Sequence, residues 1–407
     1  MAPFALAALA VTPRGRASLQ HRVGFWKLVR KGPYVWFHGA SAGELRGLVP
    51  VLKEWRVRFP EDRLLVTATT ITGLEAIEGF ADELRILPFD AVPFMRRALD
   101  SLSFRLFVAT ETELWPTLMK YLEDRRIPRC LINARISQRS FPKYLAVKRF
   151  VGSAINRFNW IAAGDEDSLE RIRTLVDDPS RGELLGNTKF DVERGVASTE
   201  ADSFWQSFSS DQKTTIVLGC VRPSEEEWWL RAVKNELSNG RRFRLVIAPR
   251  HREKFDYFAD KLSECDLRCI RRSRDPYDTA ASVILLDTFG ELAIAYQGAT
   301  LSFIGATLVP LGGHNPLEAS AWGNFVAVGP SCDTYDSIVR ALVAADAAAI
   351  VSSPEDVALL VRRAVEEPEE TRRRGAGGIV VWQQQQGATA RVVERLAQFR
   401  GEARDSR

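Results

Sequence analysis

Acid is missing from the first 43 positions of this 407-residue sequence, and several other residues are scarce. Cysteine occurs five times, at 130, 220, 265, 269 and 332, with no CxxC pair. An odd, scattered set argues against a disulfide framework and a zinc site, and it suits a reducing compartment. Histidine occurs only at 21, 38, 251 and 314, which leaves few partners for a serine nucleophile. No apolar run reaches the roughly 20 residues of a spanning helix. G-x-G-x-x-G and Walker A motifs are both absent, which weakens dinucleotide and P-loop readings. No internal repeat is strong enough to use. What is present is ordinary for a folded chain: 45% hydrophobic and 27% charged residues. That excludes a disordered or collagen-like chain, and the length predicts two or three domains.

The net charge of +4 is unevenly placed. Arg14, Arg16, Arg22, Lys27, Arg30 and Lys31 precede the first acid, Glu44, so the first 43 residues carry +6 and the rest −2. Basic charge confined to one end does not suit a nucleic-acid face, and no nucleic-acid partner is expected. Met1 to Val11 is almost purely apolar, and its positive charge follows rather than precedes it, unlike a secretory signal. Phe25, Trp26, Leu28 and Val29 lie among the basic residues, a mixture suited to an anionic membrane surface. Residues 1–33 are therefore expected to associate with a membrane; the alternative is a terminus that packs on the domain.

Short apolar runs alternate with helical patterns. Strands are expected at Tyr34–His38, Arg63–Thr69, Arg105–Ala109, Pro128–Asn133 and Trp160–Ala163, with helices at Glu44–Arg56, Val92–Leu102 and Glu113–Arg125. After a polar stretch the pattern restarts. Strands are expected at Thr214–Gly219, Phe243–Ala248, Ser282–Leu286, Leu301–Ile304 and Phe325–Val328, and helices include Ser224–Glu236, Leu317–Trp322 and Glu355–Val365. This predicts two α/β domains with parallel sheets, spanning 34–195 and 212–385. A helix over about 386–400 is expected to pack back on the first. Ligands of such sheets bind at the carboxyl ends of the strands.

Several motifs can be read in two ways. Gly39-Ala40-Ser41-Ala42-Gly43 matches the G-x-S-x-G of a hydrolase elbow, but it follows the first strand, with no sheet built before it. A tight turn of small residues leading to Glu44 at a helix start explains it better. Asp165-Glu166-Asp167 resembles a metal-binding DxD, yet Asp165 also fits a helix N-cap, and no metal site is expected. In Gly312-Gly313-His314-Asn315-Pro316-Leu317-Glu318, Asn315 reads as N-cap, Pro316 as the first helical residue and Glu318 as the capping-box acid. The glycines and His314 are left over, and they suit an anion-binding turn. Thr288-Phe289-Gly290-Glu291 can supply a second turn, and Pro249-Arg250-His251 adds cationic donors, so the second domain is expected to bind a nucleotide. Within Glu366–Arg374, Pro368 opens a helix with Glu369/Arg373 and Glu370/Arg374 as i,i+4 pairs.

Taken in order, the stretches Trp36–Glu44, Val66–Gly73, Glu111-Thr112-Glu113-Leu114-Trp115-Pro116, Asn133–Ser137, Gly186–Asp191, Pro249–His251, Asp287–Glu291 and Gly312–Glu318 make the chain resemble a known family. It is similar to the 3-deoxy-D-manno-octulosonic acid (Kdo) transferases of lipopolysaccharide synthesis. The resemblance implies two Rossmann-like domains facing across a cleft, the B-type glycosyltransferase architecture, with acceptor bound by the first and nucleotide sugar by the second. It implies an inverting, metal-independent transfer from CMP-Kdo, a co-substrate rather than a cofactor, to a lipid A precursor. The place implied is the cytoplasmic face of the bacterial inner membrane, with peripheral or short anchoring. The general base then falls on Glu44. The acid and lysine that stabilise the transition state fall on Glu111 and Lys189, with Glu113 the alternative acid. CMP contacts fall on Pro249 and Arg250, on Phe289, Gly290 and Glu291, and on Asn315, Pro316, Leu317 and Glu318; His251 joins them through its place in the cationic turn. The chain departs from the family at Gly219-Cys220-Val221-Arg222-Pro223-Ser224-Glu225, where Gly-Ser-Thr-His followed by acids is typical. Competing readings are a B-type glycosyltransferase with another sugar nucleotide, an inactive binding homologue, and a serine hydrolase using Ser41.

Overall fold

The computed structural model describes residues 13–27, 32–138, 140–191, 204–205, 213–275 and 281–402. The apolar start at 1–12, part of the basic stretch at 28–31 and most of the joint at 195–212 lie outside the described residues, and so does much of the membrane-contact reading. The chain divides into two compact units, one of residues 1–191 with 385–407, the other of residues 192–384.

The first unit is built on seven parallel strands: β1 (Tyr34–His38), β2 (Arg63–Ala68), β3 (Glu83–Ile86), β4 (Phe104–Thr110), β5 (Arg129–Ala134), β6 (Trp160–Ala163) and β7 (Gly182–Leu184). Their spatial order is β3-β2-β1-β4-β5-β6-β7. Both faces are covered. Tyr34, Trp36, Leu65, Phe107 and Leu131 fill one layer, while Val35, Phe37, Leu64, Val66 and Val108 fill the other. Double burial is why these strands read as unbroken apolar runs rather than as alternations. The order reverses between β1 and β4, and the carboxyl ends of those two strands therefore border a crevice.

The second unit repeats the plan with β8 (Thr215–Val221), β9 (Arg244–Pro249), β10 (Ile270–Arg271), β11 (Val283–Leu285), β12 (Leu301–Ile304), β13 (Phe325–Val328) and β14 (Ala348–Ile350), in the order β10-β11-β9-β8-β12-β13-β14. Its reversal lies between β8 and β12.

Four strands were not among those expected: β3, β7, β10 and β14. They are short, lie toward the sheet edges, and carry polar or exposed positions such as Arg85, Glu183 and Ile350. The helix expected from Glu113 starts at Pro116 instead, because proline favours the first helical position and Glu111–Trp115 remains a loop. The Glu/Arg pairs after Pro368 are Glu369–Arg372 and Glu370–Arg373, one residue closer than expected; Arg374 turns away to Asp346.

The helix Ala388–Glu402 packs on the first unit, burying Val392, Val393 and Leu396 beside Leu48 and Val51. The described part of the leading segment also packs on this unit. The His21 Nδ1 accepts from the Ile86 amide at 3.2 Å, and Trp26 stands edge-on to Trp36. Phe25 stays largely exposed. Among the described residues no helix is long and apolar enough to cross a membrane.

Candidate functional site

In the first unit the polar groups gather where β1 and β4 end. After His38 the chain turns through Gly39, where a Cβ would meet Thr110 Cγ2 at 2.9 Å. Ser41 caps the helix Ala42–Arg58 by accepting from the Glu44 amide at 3.4 Å. The Glu44 carboxylate reaches back, accepting from the Ala40 amide at 2.7 Å and from the Ser41 hydroxyl at 2.8 Å. This differs from a capping box in that the acid accepts from the amide before the N-cap residue and from the cap's hydroxyl, not from the cap's own amide. Among the described residues no histidine bonds Ser41, so its hydroxyl lacks the base a hydrolase needs.

A helix N-terminus by itself favours the carboxylate anion, but here other forces prevail. Burial raises the Glu44 pKa above its ordinary value; the Ser41 and Ala40 hydrogen bonds oppose this, and the charges of Glu111 and Glu113 add to it. The three carboxyl groups are thus close enough to feel one another.

Glu111 stands directly after β4 with φ 62°, a left-handed conformation uncommon outside glycine. Backbone strain of this kind clusters at functional sites. Its carboxylate is ion-paired with the Lys189 ammonium. Glu113 is held differently: its Oε2 accepts from Trp115 Nε1 at 2.8 Å and lies 3.5 Å from His38 Nε2. The His38 ring is fully buried, and its Nδ1 lies 2.8 Å from the Thr67 hydroxyl and 3.1 Å from the Thr67 carbonyl. His38 Nε2 lies 3.1 Å from Trp115 Nε1.

Lys189 is placed through its neighbour Thr188, which is bonded to groups 55 and 141 residues away. Its turn, Thr188–Phe190, is pinned where Thr188 Oγ1 donates to the Gly47 carbonyl at 2.7 Å and the Thr188 amide donates to Asn133 Oδ1 at 2.9 Å. The lysine stem then crosses Gly47, where a Cβ would meet its Cγ at 2.6 Å. The structure therefore brings Glu44, Glu111 and Lys189 into one group and adds Glu113, His38 and Trp115. Gly47 was missed from sequence; an interior helical glycine facing no known partner was its only signal.

In the second unit, Pro249 ends β9 and Arg250 and His251 follow it. Gly312 and Gly313 both have φ 81°, and a Cβ on either would press against Thr334 or Thr307. Asn315 Oδ1 accepts from the Leu317 amide at 3.0 Å, as a cap should. The capping box is not formed, however: Pro316 occupies the N-cap position of a helix only four residues long, Leu317–Ser320. Glu318 turns inward, where burial raises its carboxyl and the Arg250 charge lowers it. Phe289 is 65% exposed and leans on Phe255, and Gly290 turns with φ 85°. Glu291 Oε2 is held from behind by Arg272 Nε and Trp205 Nε1, each at 2.9 Å. Those two holders were also missed, since they lie 19 and 86 residues from Glu291 in the chain. Asp165 caps its helix by accepting from the Ser168 amide at 2.8 Å. Among the described residues no group of three or more metal-ligating side chains is placed to hold an ion.

Two doubly wound parallel sheets, with polar turns at the carboxyl ends of the strands, define the B-type glycosyltransferase fold. Its solved relatives include the UDP-GlcNAc 2-epimerase from Neisseria meningitidis, with a TM-score of 0.60 and 14% identity over 90% of this chain and 100% of that one. At that identity the likeness concerns fold alone. The profile of the family described as 3-deoxy-D-manno-octulosonic-acid transferase (kdotransferase) matches residues 17–192. The Haemophilus influenzae 3-deoxy-D-manno-octulosonic acid transferase is 30% identical, covering 82% of this chain and 79% of its own. The Rickettsia felis transferase of the same name is 28% identical over 77% and 68%. The chain belongs to the Kdo transferase family.

Proposed function

We propose that this enzyme transfers Kdo from CMP-Kdo to a hydroxyl of a lipid A precursor with inversion. The observation that carries the reading is the grouping of a half-buried Glu44, whose pKa burial raises, with the Glu111–Lys189 ion pair at the sheet's crevice, in a chain of this family. The acceptor oxygen bonds to the anomeric carbon of Kdo as the bond from that carbon to the CMP phosphate oxygen breaks. The acceptor proton passes to Glu44 as the bond forms; a carboxylate with a raised pKa is the better base. Glu111 and Lys189 act together, the anion steadying positive charge on the sugar carbon while the ammonium balances the crowded acids. Between the candidate acids, the Lys189 contact favours Glu111, since Glu113 is engaged by Trp115.

CMP is bound in the second unit by Pro249, Arg250 and His251, by Phe289 to Glu291, and by Asn315 to Glu318. Negative charge grows on the departing phosphate, and the Arg250 guanidinium neutralises it, a role that metal ions fill in other transferases. Phe25 and Lys27, exposed in the leading segment, hold the enzyme at the membrane where a lipid acceptor resides, on the cytoplasmic side where CMP-sugars are made available.

Incubation with CMP-Kdo and a lipid A precursor, followed by mass spectrometry of the lipid, tests this directly. One or more added Kdo masses are expected. An unmodified lipid, or transfer only from a different sugar nucleotide, overturns the donor and acceptor assignment.

A further inference from the structure

Strands β8 and β9 end side by side, and an arginine follows each. Val221 pairs with Pro249, so Arg222 and Arg250 are the next residues on neighbouring parallel strands. That alignment depends on a bulge. The register shifts between Gly219 and Val221, and the extra residue, Cys220, takes φ 55°. Bulges beside sites re-aim the side chains that follow them. Without this one, Arg222 would fall out of step with Arg250.

Two half-buried guanidinium groups at adjacent strand ends repel each other and lose hydration, so something must compensate them. The surrounding side chains do not. Glu225, the acid of the same turn, is fully buried and already occupied. Its two oxygens accept from the amides of Arg222, Ala306, Thr307 and Leu308, at 2.8 to 3.0 Å. Among the described residues neither Arg222 nor Arg250 forms an ion pair. The Arg222 Nη1 rests against His251 Nε2, and its Nε is buried with no partner. His314 Nε2 is likewise buried and unpartnered. Burial, together with the charges of Arg250, Arg222 and His251, lowers the His314 pKa to about 4, so this ring adds a neutral dipole and not a further charge. Glu318 faces the group as a buried carboxyl that makes no ion pair with either arginine among the described residues; burial raises its pKa and the Arg250 charge lowers it. The result is a pocket of unspent cationic donors.

We propose that Arg222 is an anion-binding residue of the donor site, acting beside Arg250 on an oxyanion of the sugar nucleotide. The inference rests on the reading of the second unit as the nucleotide-sugar unit. Two oxyanions of such a donor fit a guanidinium fork: the phosphate and the carboxylate of an ulosonic acid. Wild type, Arg222→Ala and Arg222→Lys separate the two sources. Calorimetric titration with CMP and with cytidine reads the phosphate; the KM for CMP-Kdo reads the carboxylate. If Arg222 meets phosphate, Arg222→Ala binds CMP at least tenfold more weakly and cytidine unchanged. If it meets the carboxylate, CMP affinity holds within twofold, and the KM for CMP-Kdo rises at least tenfold with kcat little altered. In either case Arg222→Lys is intermediate, which separates a lost contact from a lost fold. CMP affinity and KM both within twofold of wild type in Arg222→Ala overturn the inference. Should wild type bind UDP and not CMP, the donor assignment fails, while weaker UDP binding by Arg222→Ala still supports the arginine pair. Binding of neither nucleotide by wild type overturns both.

Discussion

Glu44 carries opposed influences on its charge. Hydrogen bonds from Ser41 and Ala40 favour the anion, whereas burial and the neighbouring Glu111 and Glu113 favour the proton, and the second set prevails. A base must be deprotonated before it can act. The raised pKa therefore places the acid limb of the profile of kcat/KM against pH above the ordinary carboxylate range, with activity falling about tenfold per unit below it. Glu44→Gln keeps the shape and removes the base. Transfer is expected to fall by at least about 10²-fold, with CMP affinity unchanged. A variant that transfers at near wild-type rate sinks the base assignment, as does an acid limb at or below the ordinary carboxylate value. Glu44 itself was legible in sequence, from a small-residue turn after the first strand. Its environment was not, because two of the three acids concerned arrive from 67 and 69 residues further along the chain.

At the scale of elements, the helix Ala42–Arg58 serves the site from two of its turns. Its first turn presents Glu44, and Gly47, one turn later, leaves room for the Lys189 stem. Gly47→Ala puts a methyl group 2.6 Å from Lys189 Cγ, and the flexible lysine gives way before the helix does. Alanine also favours an interior helical position by about 1 kcal/mol. The variant is expected to keep or raise its Tm while losing about 10²-fold in transfer, as a displaced charged group does. Unchanged kinetics would show that Lys189 has no fixed place in the reaction. The central strands were readable at this scale because sheets buried on both faces demand continuous apolar runs. The short strands β3, β7, β10 and β14 were not, because pairing to a neighbour, not composition, makes them strands. The loop Glu111–Trp115 is an element-level correction: Pro116 delays the helix, and the delay frees both acids.

For the whole molecule, the consequential feature is the return of the chain end to the first unit. Arg400 grips the buried Asp62, with Nε at 2.6 Å from Oδ2 and Nη2 at 3.0 Å from Oδ1, and Val392, Val393 and Leu396 are wholly buried. Burial of three such side chains contributes about 1.5–3 kcal/mol each. Deleting residues 386–407 is therefore expected to destabilise the first unit by about 5 kcal/mol or more. Calorimetry should show its unfolding transition at a markedly lower temperature; an unmoved transition would show that the helix adds nothing to that unit. By itself the sequence determined the α/β class, the two sheets and the family, because strand burial, turn chemistry and ordered motifs are written locally. Only the tertiary structure decided that Lys189 meets Glu111 and not Glu113, that Glu44 holds its proton more tightly than an ordinary acid, and that two arginines stand together with no ion pair among the described residues. Each of these depends on burial and on distances between residues far apart in the chain, and neither quantity exists until the strands have paired.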